Sequence, residues 1–183
     1  MKNEAKKNME MNNTFNIIID DDAWKNCDFE VYQIAKNVFD AVFCYVAERE
    51  EVDFLSSEQN IVVNLSLSND TEIHKLNKEF RNIDKPTNVL SFANIDDEDF
   101  NNYAKTSSEI ELGDIIIAFE TLSREAAEKK ISLHNHFAHL LIHGLLHLLG
   151  FDHQQDDEAE YMENFEINIL KQLNIDNPYQ EYN

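Results

Sequence analysis

The 183-residue chain is long enough for one domain with a real core, and its 43% hydrophobic and 10% aromatic content excludes a disordered chain. A formal net charge of −21, from 36 acidic against 15 basic residues, excludes broad adhesion to a polyanion, so any nucleic-acid site must be local and carry its own cations. Cys27 and Cys44 form no CxxC pair and read as two buried small hydrophobes in a reducing compartment, and the opening "MKNEAKKNMEMNN" has no apolar run, so a cytoplasmic chain is expected.

Residues 1–12 read as a flexible tail, 13–177 as a single domain and 178–183 as a second tail. "FNIIID" at 15–20 is a β-branched strand run. Next, Val31, Ile34, Ala35, Val38, Val42 and Tyr45 or Val46 recur at helical spacing, with Asp28 as the expected N-cap. "IVVNLSLS" at 61–68 alternates as a strand does, and Asn69 with Asp70 caps a helix from Thr71 to about Phe80. After Pro86, "TNVLSFA" at 87–93 is a third strand, 95–110 an acidic loop, and "LGDIIIAFE" at 112–120 a fourth strand. Helices follow at about 121–130, 133–149 and 156–173. The apolar run from Phe137 to Phe151 is shorter than the roughly 20 residues a membrane span needs and holds three histidines, so it is a core helix. The expected class is α+β: a small mixed four-stranded sheet packed with about five helices, with a metal site at the end of a central helix.

That site rests on "HGLLHLLGFDH", His143 to His153. His143 and His147 lie four apart on a helix, so both rings leave one face about a turn apart and can share an ion. Gly150 stops the helix, the chain turns back, and His153 closes a third corner. Three imidazoles with an open fourth position are a catalytic arrangement for zinc; a structural ion has all four positions closed. The spacing matches metzincin proteases at the ligands and the glycine, but Gly144 stands where those enzymes carry a catalytic glutamate, which disfavours a protease. His139, a turn earlier on the same face, either orients a ligand from behind or simply packs. Asp152 reads as a supporting carboxylate or base beside His153, or as a turn residue bonding its own backbone. His74, His134 and His136 read as exposed or capping histidines.

A basic stripe, Lys75, Lys78, Arg81 and Lys85, lies within "HKLNKEFRNIDKP". In so acidic a chain it is the best phosphate-facing patch, Arg being suited to bidentate phosphate binding. The alternative is a solvated face paired with Glu72, Glu79 and Asp84.

"HGLLHLLGFDH", preceded by "NKEFRNIDKPTNVLSFA" and "LGDIIIA" in that order, resembles the YbeY family of bacterial endoribonucleases. Phe151 stands where that family more often has Tyr, a departure that removes only a hydroxyl. The resemblance implies one zinc ion per chain on His143, His147 and His153, and a catalytic arginine at Arg81. It also implies single-strand-specific RNA cleavage in small-subunit ribosomal RNA maturation and ribosome quality control, in the cytoplasm. Lys78, Lys85, Asn88 and Ser91 are the expected RNA contacts. The acidic total charge favours presentation of the RNA by a ribosomal protein partner, with no membrane involved. The residues leave the nucleophile open between a 2′-hydroxyl and hydroxide. Two rival readings stand beside the nuclease: a non-catalytic ribosome-associated factor with a structural zinc, and another metallohydrolase.

Overall fold

Residues 13–50, 52–56, 59–153 and 155–180 are described by a computed structural model. The expected tail at 1–12 and the last three residues of the expected tail at 178–183 lie outside the described residues. Strand β1 (Thr14–Ile19) and a 3-10 turn (Asp22–Asn26) lead into α1 (Val31–Arg49) and a second 3-10 turn (Asp53–Ser56). Then come β2 (Asn60–Ser68), α2 (Asp70–Arg81), β3 (Val89–Ala93), a 3-10 turn (Asn94–Asp96), α3 (Phe100–Thr106) and β4 (Glu109–Ala118). Helices α4 (Phe119–Lys129), α5 (Leu133–Leu148) and α6 (Asp156–Gln172) complete the α+β fold.

The four strands form one mixed sheet in the order β1-β2-β4-β3; β1, β2 and β4 are parallel, and β3 is an antiparallel edge. Ile61, Val63, Leu65 and Leu67 of β2 point to the inner face, as do Ile110, Leu112, Ile115 and Ile117 of β4. Ile115 and Ile117 share the face of Ile110 and Leu112 because the pairing skips Leu112, passing from Val62↔Glu111 to Val63↔Gly113, which flips the alternation after it. Gly113 takes φ +133 there, and a Cβ on it would stand 2.0 Å from the Phe92 carbonyl oxygen, so only glycine lets β3 close on β4 at this bulge.

Helix α5 lies across the inner face, with Phe137, Leu141, Ile142, Leu145 and Leu146 fully buried. Apolar on nearly every side, it is the central core helix. Each such side chain contributes about 1.5–3 kcal/mol by leaving water. Helix α1 packs on it through Ala35, Val38, Phe39, Val42 and Val46, while α6 adds Met162, Phe165, Ile169 and Leu170. On the outer face, α2 covers only a patch of Ile73, Leu90 and Ala118. Among the described residues, no helix is long and apolar enough to cross a membrane.

Three local expectations need correction. Helix α1 starts at Val31 behind Glu30, not behind an Asp28 cap, and Glu30 makes no side-chain cap bond. The segment 95–110 is not a plain loop. It contains α3, held because Phe100 and Ala104 are buried and the Gln59 amide donates to the Ala104 carbonyl at 2.6 Å. So short a helix forms through such tertiary contacts, which local apolar periodicity does not reveal. Cys44 is exposed and Cys27 only half-buried, since α1 turns Cys44 away from the core that Phe43 and Tyr45 enter. The Asn69 cap holds as expected: its side chain accepts from the Glu72 backbone N–H at 3.0 Å.

Candidate metal centre

The last turn of α5 is built to turn back on itself. Gly150 adopts φ +89, its N–H donates to the His147 carbonyl at 3.0 Å, and the Phe151 N–H donates to the Leu146 carbonyl at 3.0 Å. This reversal carries His153 back over the helix. The three ring centroids lie 4.6 Å (His143–His147), 4.9 Å (His147–His153) and 5.4 Å (His143–His153) apart. One nitrogen from each lies within 4.8 Å of the others, so the cluster could hold a metal ion.

The tautomers are set from behind. His147 Nδ1 lies 2.9 Å from the Phe151 carbonyl oxygen, which can only accept, so the proton sits on Nδ1. His143 Nδ1 donates likewise to Glu166 Oε1 at 2.7 Å. In the neutral rings, both Nε2 atoms therefore present bare lone pairs, and these face each other at 3.1 Å. Two lone pairs so close repel unless a cation lies between them, and three such imidazoles are a fitting donor set for a divalent ion. Burial pushes the His147 imidazole down to about 4, with the charges of His143 and His153 acting the same way, so it is neutral and ready to ligate at ordinary pH.

Glu166 is the residue that periodicity did not expose. It is 1% exposed on α6 and accepts from both His143 and His139 Nε2, the latter at 2.9 Å. Burial would raise its carboxyl, but the hydrogen bonds from His139 and His143 outweigh this and bring it down to about 2. A signal was present: Met162, Phe165 and Ile169 mark the buried stripe, and Glu166 is a carboxylate on that stripe. His139 thus touches the carboxylate behind His143. Asp152 accepts from the His153 backbone N–H at 2.7 Å, the turn-residue role, while its charge favours protonation of His147.

Gly144 has a packing reason. A Cβ there would lie 3.1 Å from both Ser91 Oγ and Ile115 Cγ2, so this position points into β3 and β4. Ser91 thereby adjoins the residue that follows the first histidine.

His136 corrects the expectation of an exposed or capping histidine. It is 0% exposed because α5 turns it inward, where Nε2 meets Glu125 Oε2 at 2.8 Å. The same Glu125 oxygen accepts from Asn88 Nδ2 at 2.9 Å, and Asn88 Oδ1 accepts from the Val89 N–H at 2.7 Å. Asn88 therefore ties the start of β3 to α4. Burial holds the His136 imidazole below its ordinary range, the Glu125 bond opposing. Acid thus favours the unfolded chain, whose histidine protonates near 6.5, and stability present above that pH is lost as pH falls below it. The melting temperature of the wild type should fall more steeply between about pH 7 and pH 5 than that of His136→Gln; parallel curves would refute this.

The stripe on α2 divides. Lys75 pairs with Glu72 at 2.7 Å, and Lys78 with Asp84 at 2.9 Å, the latter carboxylate also holding His74 at 2.7 Å. Arg81 and Lys85 are exposed and, among the described residues, form no ion pair. Phe80 packs edge-on against Phe92 with ring centroids 5.2 Å apart, which brings the last turn of α2 to the edge strand that carries Ser91.

Residues 19–174 match the family described as Endoribonuclease YbeY. Among curated proteins, the "Endoribonuclease YbeY" of Francisella tularensis subsp. novicida is 49% identical over 124 residues, covering 65% of this chain and 72% of its own. That of subsp. tularensis is also 49% identical over 124 residues, covering 65% and 69%. Among solved structures, the solution structure of TM1509 from Thermotoga maritima shares the fold with TM-score 0.52 at 20% identity, covering 88% of this chain and 92% of that one. With a family match over most of its length, joined to the histidine cluster at the turn of α5, the chain belongs to the endoribonuclease YbeY family.

Proposed function

We propose that the protein is a zinc-dependent endoribonuclease specific for single strands, acting in small-subunit ribosomal RNA maturation and ribosome quality control in the cytoplasm. The observation that carries the metal part is the pair of Nε2 lone pairs facing each other at 3.1 Å, each ring fixed by an acceptor behind it. His143, His147 and His153 would hold one zinc ion, which when bound supplies positive charge at a phosphoryl oxygen. Arg81 neutralises the charge that develops on the phosphate in the transition state, and its lack of an ion pair among the described residues supports that role. Lys85 and Ser91 contact the RNA along the edge of β3, Lys78 adds a cation that Asp84 partly offsets, and Asn88 shapes the strand.

Gly144 leaves no carboxylate base at the position a protease uses, which fits attack by an oxygen nucleophile on phosphorus better than peptide hydrolysis. The charge of −21 opposes capture of free RNA, so a basic ribosomal protein partner would present the substrate. The test is cleavage of labelled single-stranded and duplex RNA by the wild type and by Arg81→Ala. The variant should lose about 10²–10³-fold in rate while keeping its zinc content and melting temperature. Full activity would remove Arg81 from the mechanism, and equal cleavage of duplex would remove the strand specificity.

A further inference from the structure

We propose that Glu166 is a positioning residue of the metal centre and that the C-terminal segment carrying Tyr179 is the latch that holds it. This rests on the reading of His143 as a metal ligand. The Glu166 carboxylate is buried at the interface of α5 and α6, where an ionised group persists only if its oxygens are satisfied. Three donors meet it: His143 Nδ1 at 2.7 Å on Oε1, His139 Nε2 at 2.9 Å on Oε2, and the Tyr179 hydroxyl, also on Oε2. With both oxygens held, the carboxylate fixes the His143 ring and leaves Nε2 turned toward His147.

The segment after α6 is shaped to deliver Tyr179. Asn174 takes φ 59, the Ile175 N–H donates to the Leu170 carbonyl at 2.9 Å, and the Ile175 side chain is buried. Asn177 Oδ1 then accepts from the Tyr179 N–H at 2.8 Å, turning the chain back toward α5. The Tyr179 ring meets His139 edge-on with centroids 5.4 Å apart, and its hydroxyl also lies 3.2 Å from His139 Nε2. The segment carrying Tyr179 thus closes the back of the site from 13 residues beyond Glu166 and 36 beyond His143.

The experiment measures zinc affinity by competition with a chromophoric chelator, together with the melting temperature of the metal-free protein, for the wild type, Glu166→Gln, Tyr179→Phe and His143→Ala. Glu166→Gln should lower zinc affinity about 10–100-fold. Tyr179→Phe should lower it about fivefold, the worth of one hydrogen bond, with the metal-free melting temperature nearly unchanged. A ligand field altered in the visible spectrum of the cobalt-loaded Glu166→Gln protein would mark a reoriented ring, which a general loss of stability would not give. Wild-type zinc affinity in both variants overturns the positioning role of Glu166 and the latch together, while leaving the ligand reading of His143 in place. Zinc binding by His143→Ala equal to wild type overturns the ligand reading on which it rests. Should Glu166→Gln not fold, Tyr179→Phe decides the question by the same affinity measurement.

Discussion

His147→Ala should lose zinc binding and at least about a thousandfold in RNA cleavage, the rate equivalent of the roughly 4 kcal/mol that a bound cation supplies to a phosphoryl transition state. The ring is held by the Phe151 carbonyl behind it and faces His143 in front, so the substitution removes a donor whose tautomer and direction are both fixed. The fold should survive, because the core of α5 against β2 and β4 is apolar and independent of the cluster. A chelator should have the same effect on the wild type: activity goes, while circular dichroism is retained. Cleavage that persists in both cases would mean that the centre does not do the chemistry. Unfolding on chelation would instead support a structural ion in a non-catalytic ribosome factor.

Gly144→Glu should destabilise the protein by about 4 kcal/mol or more and confer no peptidase activity, although it completes the sequence pattern of a zinc protease. A Cβ at this position already meets Ser91 Oγ and Ile115 Cγ2 at 3.1 Å, so the rest of a glutamate would be driven between β3 and β4, away from the three histidines. Overpacking and a carboxylate without partners act together there. On a chain of this size the loss corresponds to a melting temperature lower by about 8–16 °C. Gly144→Ala separates the two effects: it adds only the Cβ, and better helix propensity offsets part of the crowding. Thermal melts of both variants check this; a Gly144→Glu protein as stable as wild type would show that the helix stands farther from the sheet.

Glycine at position 144 bears on packing as much as on chemistry. The helix that carries the first two histidines lies close enough to the sheet that glycine is the residue that fits between them. The same closeness places Ser91 against Gly144, the residue after His143, while Phe80 packing on Phe92 brings the end of α2 to the other face of that edge strand. Helix α5 with the histidine cluster at its end and helix α2 with Arg81 thus pack on the two faces of one strand, Ser91 turning to the first and Phe92 to the second.

Residue order alone reveals what local geometry governs. Positions 143 and 147 share a helix face because of the 3.6-residue period, Gly150 stops the helix because it tolerates positive φ, and His153 returns because the chain must then reverse. The three parallel strands β1, β2 and β4 are legible as β-branched runs, which is again a local property. Tertiary structure decided the rest. Glu166 reaches His143 across 23 residues of chain, Tyr179 reaches His139 across 40, and His136 finds Glu125 across 11. Residue spacing carries no information about such pairs, because they arise where two helices, or a helix and a returning segment, are pressed together by apolar burial. Helix α3 is of the same kind: its own seven residues are too few to sustain it, and Phe100 forms part of a helix only because the core takes it in.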